Sequence, residues 1–200
     1  MTLSIAVPDG KKTSDSITTV AEAQEVTPRI QLVLGGARSG KSAHAESLAT
    51  SRKGAGDLVY IATAEIFDSE MEARIDLHRQ RRGPEWTLVE APLDLPRAIR
   101  DSDQENAVIL VDCLSVWTTN LLIHDRDIDQ ARHALIDALH DCRGRLLLVA
   151  SETGLGIVPD NALSRHFRDA NGLLNQAVAA AAHEVFFMMA GIALRIKPPQ

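Results

Sequence analysis

The 200-residue chain is poor in aromatic residues, with two Trp, one Tyr and four Phe, and it holds only two cysteines. Cys113 and Cys142 stand far apart with no CxxC spacing, which argues against a disulfide framework or a thiolate metal site and for reduced core cysteines. No apolar run reaches the roughly 18 residues that span a bilayer. Net positive charge is also lacking. A formal charge of −6 argues against a nucleic-acid backbone or an anionic membrane as the main partner, since both call for a basic face. At the N-terminus, Lys11 and Lys12 follow a short apolar stretch instead of preceding it, the reverse of a signal peptide. The cytoplasm is the expected compartment.

What is present is enough for one core. Hydrophobic residues make up 45% of the chain, which suits a single domain of ordinary size. Residues 1–28, rich in Ser, Thr, Asp and Lys, read as a flexible polar extension with little to bury. The domain is expected over 29–200. Five apolar runs rich in Val, Ile and Leu have the character of strands buried on both faces: 30–34, 58–62, 108–111, 145–150 and 185–189. Residues 192–196 read as an edge strand. Segments with helical period fall between them at 42–51, 69–82, 127–142 and 160–183, the second opening on a capping box (Ser69 with Glu72) and stopping at Gly83-Pro84. Alternation of this kind predicts a doubly wound, mostly parallel α/β sheet with helices on both faces and ligands beyond the carboxyl ends of the strands.

The segment Gly35-Gly36-Ala37-Arg38-Ser39-Gly40-Lys41-Ser42 is an instance of G-x-x-x-x-G-K-[ST] in its required context, after a buried strand and before a helix. Glycines let successive N–H groups point inward at phosphate oxygens beside a helix N-terminus that favours anions. Lys41 reaches the β- and γ-phosphates and the Ser42 hydroxyl ligates Mg²⁺. The chain therefore reads as a P-loop NTPase-like enzyme binding GTP or ATP. Val108–Asp112 is an apolar strand ending in a carboxylate, the candidate second Mg²⁺ ligand, expected on a strand that neighbours the P-loop strand.

Two further segments leave alternatives open. In 68–82, Met71, Ile75 and His78 share a helical face, followed by Arg79, Gln80, Arg81 and Arg82. This is either a helix-end histidine with basic residues against the macrodipole or a nucleophilic imidazole among guanidinium groups that neutralise a polyphosphate. The stretch Ser151–Pro159 followed by Arg165-His-Phe-Arg-Asp169 is either a strand-to-helix connection or a ligand loop whose glycines admit close approach. The remaining histidines, His44, His124, His133, His140 and His183, show no metal-ligand grouping and read as surface or packing residues.

Together these segments resemble the bifunctional adenosylcobinamide kinase/adenosylcobinamide-phosphate guanylyltransferase family of cobalamin biosynthesis. The likeness runs over about residues 30 to 197. It is carried by Gly35–Ser42 with His44-Ala-Glu46, by Tyr60-Ile-Ala-Thr63, and by Glu70-Met, Arg74-Ile, His78, Trp86 and Glu90. Further on it is carried by Thr119-Asn-Leu-Leu122, Glu152–Pro159, Arg165–Asp169 and Asn175-Gln176. The resemblance implies γ-phosphoryl transfer to adenosylcobinamide, then attack of a histidine, here His78, on the α-phosphate of GTP, with the guanylyl group passing to adenosylcobinamide phosphate. It also implies nucleotide contacts at Ala62, Thr63 and Ala64, at Arg79 to Arg82, and at Glu90 and Asp112, and a homo-oligomer, a trimer in the best-known case. Leu77 stands where some relatives have a second histidine, and Asp112 where Glu also occurs. Two other functions fit the P-loop: a kinase of another small metabolite, needing no nucleophilic histidine, and a nucleotide-dependent switch read by a partner protein.

Overall fold

The computed structural model of the chain describes residues 29–54, 56–65 and 83–198. The expected 1–28 extension and the expected helix 69–82, with His78, Arg79, Gln80, Arg81 and Arg82, lie outside the described residues. The elements run β1 (Ile30–Gly35), α1 (Lys41–Ser51), β2 (Leu58–Ala62), β3 (Trp86–Glu90), α2 (Leu95–Ser102), β4 (Val108–Asp112) and α3 (Leu114–Ile123). They continue with α4 (Ile128–Asp141), β5 (Arg145–Ser151), α5 (Ala162–Ala181), β6 (Glu184–Met189) and β7 (Ile192–Lys197). The seven strands form one sheet in the order β3-β2-β4-β5-β1-β6-β7. All pairs are parallel except β6–β7, a terminal antiparallel hairpin.

Strands buried on both faces explain the continuous apolar runs. Ile30, Leu32, Ile61, Ile109, Val111, Leu146 and Leu148 join one core with side chains of α2, α3, α4 and α5. Their alternates Val33, Tyr60, Leu110, Leu147 and Val149 join a second core with Ala45 and Ala49 of α1. The doubly wound sheet with helices on both faces is thus present.

Three elements go beyond the expected ones, each for a physical reason. β3 is an edge strand whose residues are exposed or half-buried, so its sequence WTLVE carries no buried run. α2 opens on Leu95-Pro96, with Pro at the first turn, where a missing N–H costs nothing. α3 (LSVWTTNLLI) is buried on most sides, including Leu114, Ser115, Trp117, Thr118, Asn120 and Leu121, and with polar residues buried among the apolar ones no single apolar stripe of 3.6 period marks it.

Strand order also corrects one expectation. β5 lies between β1 and β4, so Asp112 stands on the second strand from the P-loop strand and not on its neighbour. At about 4.8 Å per strand this places the two backbones roughly 10 Å apart. Register aligns the strand ends: Glu90, Ala62, Asp112, Val149 and Val33 share one rung. The loops that follow all leave from the carboxyl edge of the sheet.

Candidate active site

The P-loop turns on left-handed residues at Arg38 (φ 55°) and Gly40 (φ 95°), and α1 begins at Lys41, so the loop ends on the free N–H groups of a helix N-terminus. Gly35 is required by close packing. A Cβ there would meet the Met188 carbonyl at 2.5 Å and Ser39 Oγ at 2.8 Å. The end of β6 thus supports the loop from beneath, and the Gly191 N–H donates to the Ser39 carbonyl at 3.0 Å. Ser39 is buried and its Oγ has no protein partner. Gly36 and Ser42 are half-buried, while Ala37 and Arg38 are exposed.

Lys41 Nζ donates to the Gly36 carbonyl at 2.6 Å, folding the side chain back over the loop. Burial lowers the Lys41 pKa, and the nearby Cys113 and Asp112 only partly oppose this. Lys41 follows β1 and Asp112 ends β4, both at the carboxyl edge, with β5 between them. Asp112 Oδ2 accepts from the Tyr60 hydroxyl at 2.9 Å, and Tyr60 in turn meets Trp86 edge-on at 6.0 Å. Burial first, then the charge of Asp112, push the Cys113 thiol up to about 12, so it stays protonated near neutrality and supplies no thiolate nucleophile.

The β2 exit is pinned. Thr63 is fully buried, its Oγ1 donates to the Cys113 carbonyl at 2.8 Å, and it accepts from the Cys113 N–H at 2.9 Å. The hydroxyl is therefore committed to the protein, and what Thr63 contributes is the direction of the peptides on either side. The Ala62 carbonyl accepts from Ala91 N–H at 2.8 Å, Ala64 is half-buried, and Glu90 is exposed at the end of β3. By strand count, Glu90 lies about 19 Å from the P-loop strand.

After β5, the Glu152 N–H donates to the Gly35 carbonyl at 3.1 Å, tying the Glu152–Pro159 loop to the P-loop. Ser115 Oγ accepts from the Ser151 N–H at 2.8 Å. From α5, the Asn171 and Asn175 amides donate to the Ser151 carbonyl at 2.9 and 3.1 Å. Arg165 closes the loop on the carbonyls of Pro159 and Asp160. Leu155, Ile157 and Val158 at its tip are exposed, Ile157 by 97%.

The carboxyl edge thus collects Gly35–Ser42, Ala62–Ala64, Glu90, Asp112 and the 152–159 loop. Hydroxyl and carboxylate oxygens such as those of Ser42 and Asp112 suit Mg²⁺. Among the described residues no group of three or more His, Cys, Asp or Glu stands together as a metal cage. Among the remaining histidines, His44 and His183 serve packing and backbone roles. His44 packs edge-on against Phe186 at 5.2 Å, and burial lowers its pKa. His183 Nδ1 accepts from the Ile30 N–H. Sequence reading missed Tyr60, Ser115, Asn171 and Gly191 as supports of the site. For Tyr60 a signal was present, because a hydroxyl on an otherwise apolar strand requires a partner once buried.

The family model described as cobinamide kinase / cobinamide phosphate guanyltransferase matches residues 31–196. The chain is 45% identical over 168 residues to the bifunctional adenosylcobalamin biosynthesis protein CobP of Pseudomonas aeruginosa, covering 83% of this chain and 96% of that one. It is 44% identical over 181 residues to the bifunctional adenosylcobalamin biosynthesis protein CobU of Escherichia coli, covering 83% and 98%. The protein of the same name from Salmonella typhimurium is 41% identical over the same shares. Among solved structures, the ATPase domain of G40P has a TM-score of 0.46 at 13% identity over 80% of this chain and 68% of that one. The match spans every described element of the carboxyl-edge site, from the P-loop to the β6–β7 hairpin, and the chain belongs to the cobinamide kinase / cobinamide phosphate guanyltransferase family.

Proposed function

We propose that this enzyme phosphorylates the hydroxyl of the adenosylcobinamide side arm with ATP or GTP and then transfers GMP from GTP to adenosylcobinamide phosphate. The observation that carries the reading is the P-loop at the carboxyl edge, turned on left-handed Arg38 and Gly40 and ending at the start of α1 with Lys41 folded back over it, in a chain whose family carries both activities. In the kinase step the P-loop amides and Lys41 hold the β- and γ-phosphates and stabilise charge on the transferring group. Ser42 and Asp112 would hold Mg²⁺ beside the phosphates, and the ion would supply charge neutralisation there. In the second step a nitrogen of His78 attacks the α-phosphorus of GTP. The bond to the β-phosphate oxygen breaks, and pyrophosphate leaves with the electron pair. Arg79, Arg81 and Arg82 stabilise the departing charge, with Gln80 beside them. A phosphate oxygen of adenosylcobinamide phosphate then attacks the same phosphorus, and the imidazole is released. Ala62, Thr63, Ala64 and Glu90 border the nucleotide.

The enzyme acts in the cytoplasm as a homo-oligomer, a trimer by family resemblance. Support for association comes from the exposed Ile192, Leu194 and Ile196 on edge strand β7, since an apolar sheet edge invites pairing. Incubation with GTP labelled at the α-phosphate tests the reading. The wild type is expected to retain acid-labile, base-stable label, and His78→Ala none, while the variant keeps nucleotide binding through Gly35–Ser42. Label persisting on His78→Ala, or mapping to His44 or His166, would falsify the histidine assignment. A wild type that never labels yet phosphorylates a metabolite would favour a simple kinase.

A further inference from the structure

Glu152 has no role in the chemistry above, yet strand order puts it at the centre of the carboxyl edge. β5 lies between β1, which leads into the P-loop, and β4, which ends on Asp112. Ser151, the last residue of β5, pairs with Gly35, and Glu152 follows it directly. The Glu152 N–H donates to the Gly35 carbonyl at 3.1 Å, and Lys41 Nζ donates to the next carbonyl, that of Gly36, at 2.6 Å. Glu152 and the lysine thus grip adjacent peptides of one loop. With strands about 4.8 Å apart, a phosphate held by Lys41 on one side and beside Asp112 on the other lies over the end of β5.

The Glu152 carboxylate is half-buried, and it is held without being used up. Its Oε1 accepts from the Gly154 N–H, and a Cβ on Gly154 would stand only 3.0 Å from that oxygen. Among the described residues no cation pairs with this carboxylate, and nothing donates to its Oε2. Asp112 differs, since its Oδ2 accepts from the Tyr60 hydroxyl. The backbone under Glu152 is fixed from α5, where the Asn171 and Asn175 amides donate to the Ser151 carbonyl. One carboxylate oxygen is therefore anchored and the other is free to take a proton.

We propose that Glu152 is a catalytic residue of the kinase step, the general base that receives the proton of the acceptor hydroxyl. The hydroxyl oxygen attacks the γ-phosphorus, the bond to the β-phosphate oxygen breaks, and the nucleoside diphosphate leaves with the electron pair. The hydroxyl proton passes to Oε2 of Glu152 and is lost to water once the product has left. Chemistry confines this need to one of the two reactions. An alcohol must shed a proton when it is phosphorylated, whereas the acceptor of GMP is a phosphate already ionised at neutral pH. The proposal rests on the kinase reading stated above.

Glu152→Gln tests it, because the amide keeps the shape and an oxygen for the Gly154 N–H but takes up no proton. Kinase turnover at saturating nucleotide and adenosylcobinamide is expected to fall at least about 100-fold, the lower range for a lost general base. Affinity for a non-hydrolysable GTP analogue, and transfer of GMP to supplied adenosylcobinamide phosphate, are each expected to stay within about threefold of the parent. An acceptor with fluorines next to its hydroxyl sheds the proton more readily, and should narrow the gap between parent and variant at least about tenfold. A carboxylate that only shaped the loop would give no such rescue. Kinase turnover of Glu152→Gln within about threefold of the parent overturns the proposal, as does an equal fall in GMP transfer or a gap that the fluorinated acceptor leaves unchanged. A parent enzyme that transfers GMP yet phosphorylates no adenosylcobinamide shows a different failure, that of the kinase reading, and the proposal falls with it.

Discussion

The two edges of the sheet are built from the same strands and treat polar groups in opposite ways. At the amino edge, Asp103 is saturated. Its carboxylate accepts from the backbone N–H of Arg143 and of Gly144, from the Arg143 side chain and from the Cys142 thiol. At the carboxyl edge, buried oxygens of Ser39, Asn120, Asn171 and Asn175 have no protein partner, and Lys41 is held where burial disfavours its charge. A carboxylate bonded on every side within the protein, as Asp103 is, contributes stability. An edge that keeps buried polar groups unsatisfied, and a cation partly desolvated, gives up stability for the sake of a ligand that brings charge and hydrogen bonds. Both edges belong to one sheet, so substitutions on either side separate fold from function.

Lys41→Ala breaks the comparison most sharply. Loss of the ammonium is expected to reduce kinase turnover at least about 100-fold, since it stabilises charge on the transferring group, with a comparable fall in guanylyl transfer. Stability should move the other way or not at all. A lysine pKa lowered by folding means that the native state binds the proton less tightly than the unfolded chain. Lys41 therefore costs stability at neutral pH, a cost relieved only as pH rises past its folded value. Thermal denaturation at neutral pH is expected to show a midpoint no lower than the parent's. A clear drop would count against this view of the carboxyl edge.

Asp103→Ala should give the mirror result. Burial raises the Asp103 pKa, but bonds from Gly144, Arg143 and Cys142 outweigh it and hold the carboxyl below its usual value of 3.8. Stability from a depressed carboxyl is fully present above the unfolded pKa and is lost as pH falls through the folded one. Denaturant titration is expected to show a loss of about 2–3 kcal/mol at neutral pH. The difference from the parent should shrink as pH drops below about 4. Both activities of the folded variant should match the parent, because the strands set the two edges roughly 15 Å apart.

The smallest effect is expected from deleting residues 1–28. The family match begins at residue 31, and the first described backbone bond of the sheet is made by Arg29, whose carbonyl accepts from the Leu146 N–H. We propose that the extension lies outside the working enzyme, and turnover and melting midpoint of the truncated chain should equal the parent's. A soluble truncation that had lost activity would assign the extension to one edge or the other.

Sequence alone determined what depends on short-range chemistry. Continuous Val, Ile and Leu runs mark β1, β2, β4 and β5, because a strand buried on both faces needs an apolar residue at every position. The P-loop was legible for the same reason. Its function resides in its own backbone, and glycines, lysine and serine at fixed spacing are the whole requirement. Tertiary structure alone decided what depends on partners distant in the chain. It placed β5 between β1 and β4, so Asp112 reaches the site across a strand. It made β3 an edge strand too exposed to carry an apolar run, and it buried α3 on so many sides that helical period vanished. It also gave Asn120 two carbonyls, 57 and 28 residues away in sequence. Strand order and side-chain partners are settled by the packing of a whole core, and no local pattern of residues encodes which distant backbone oxygen a buried amide will meet.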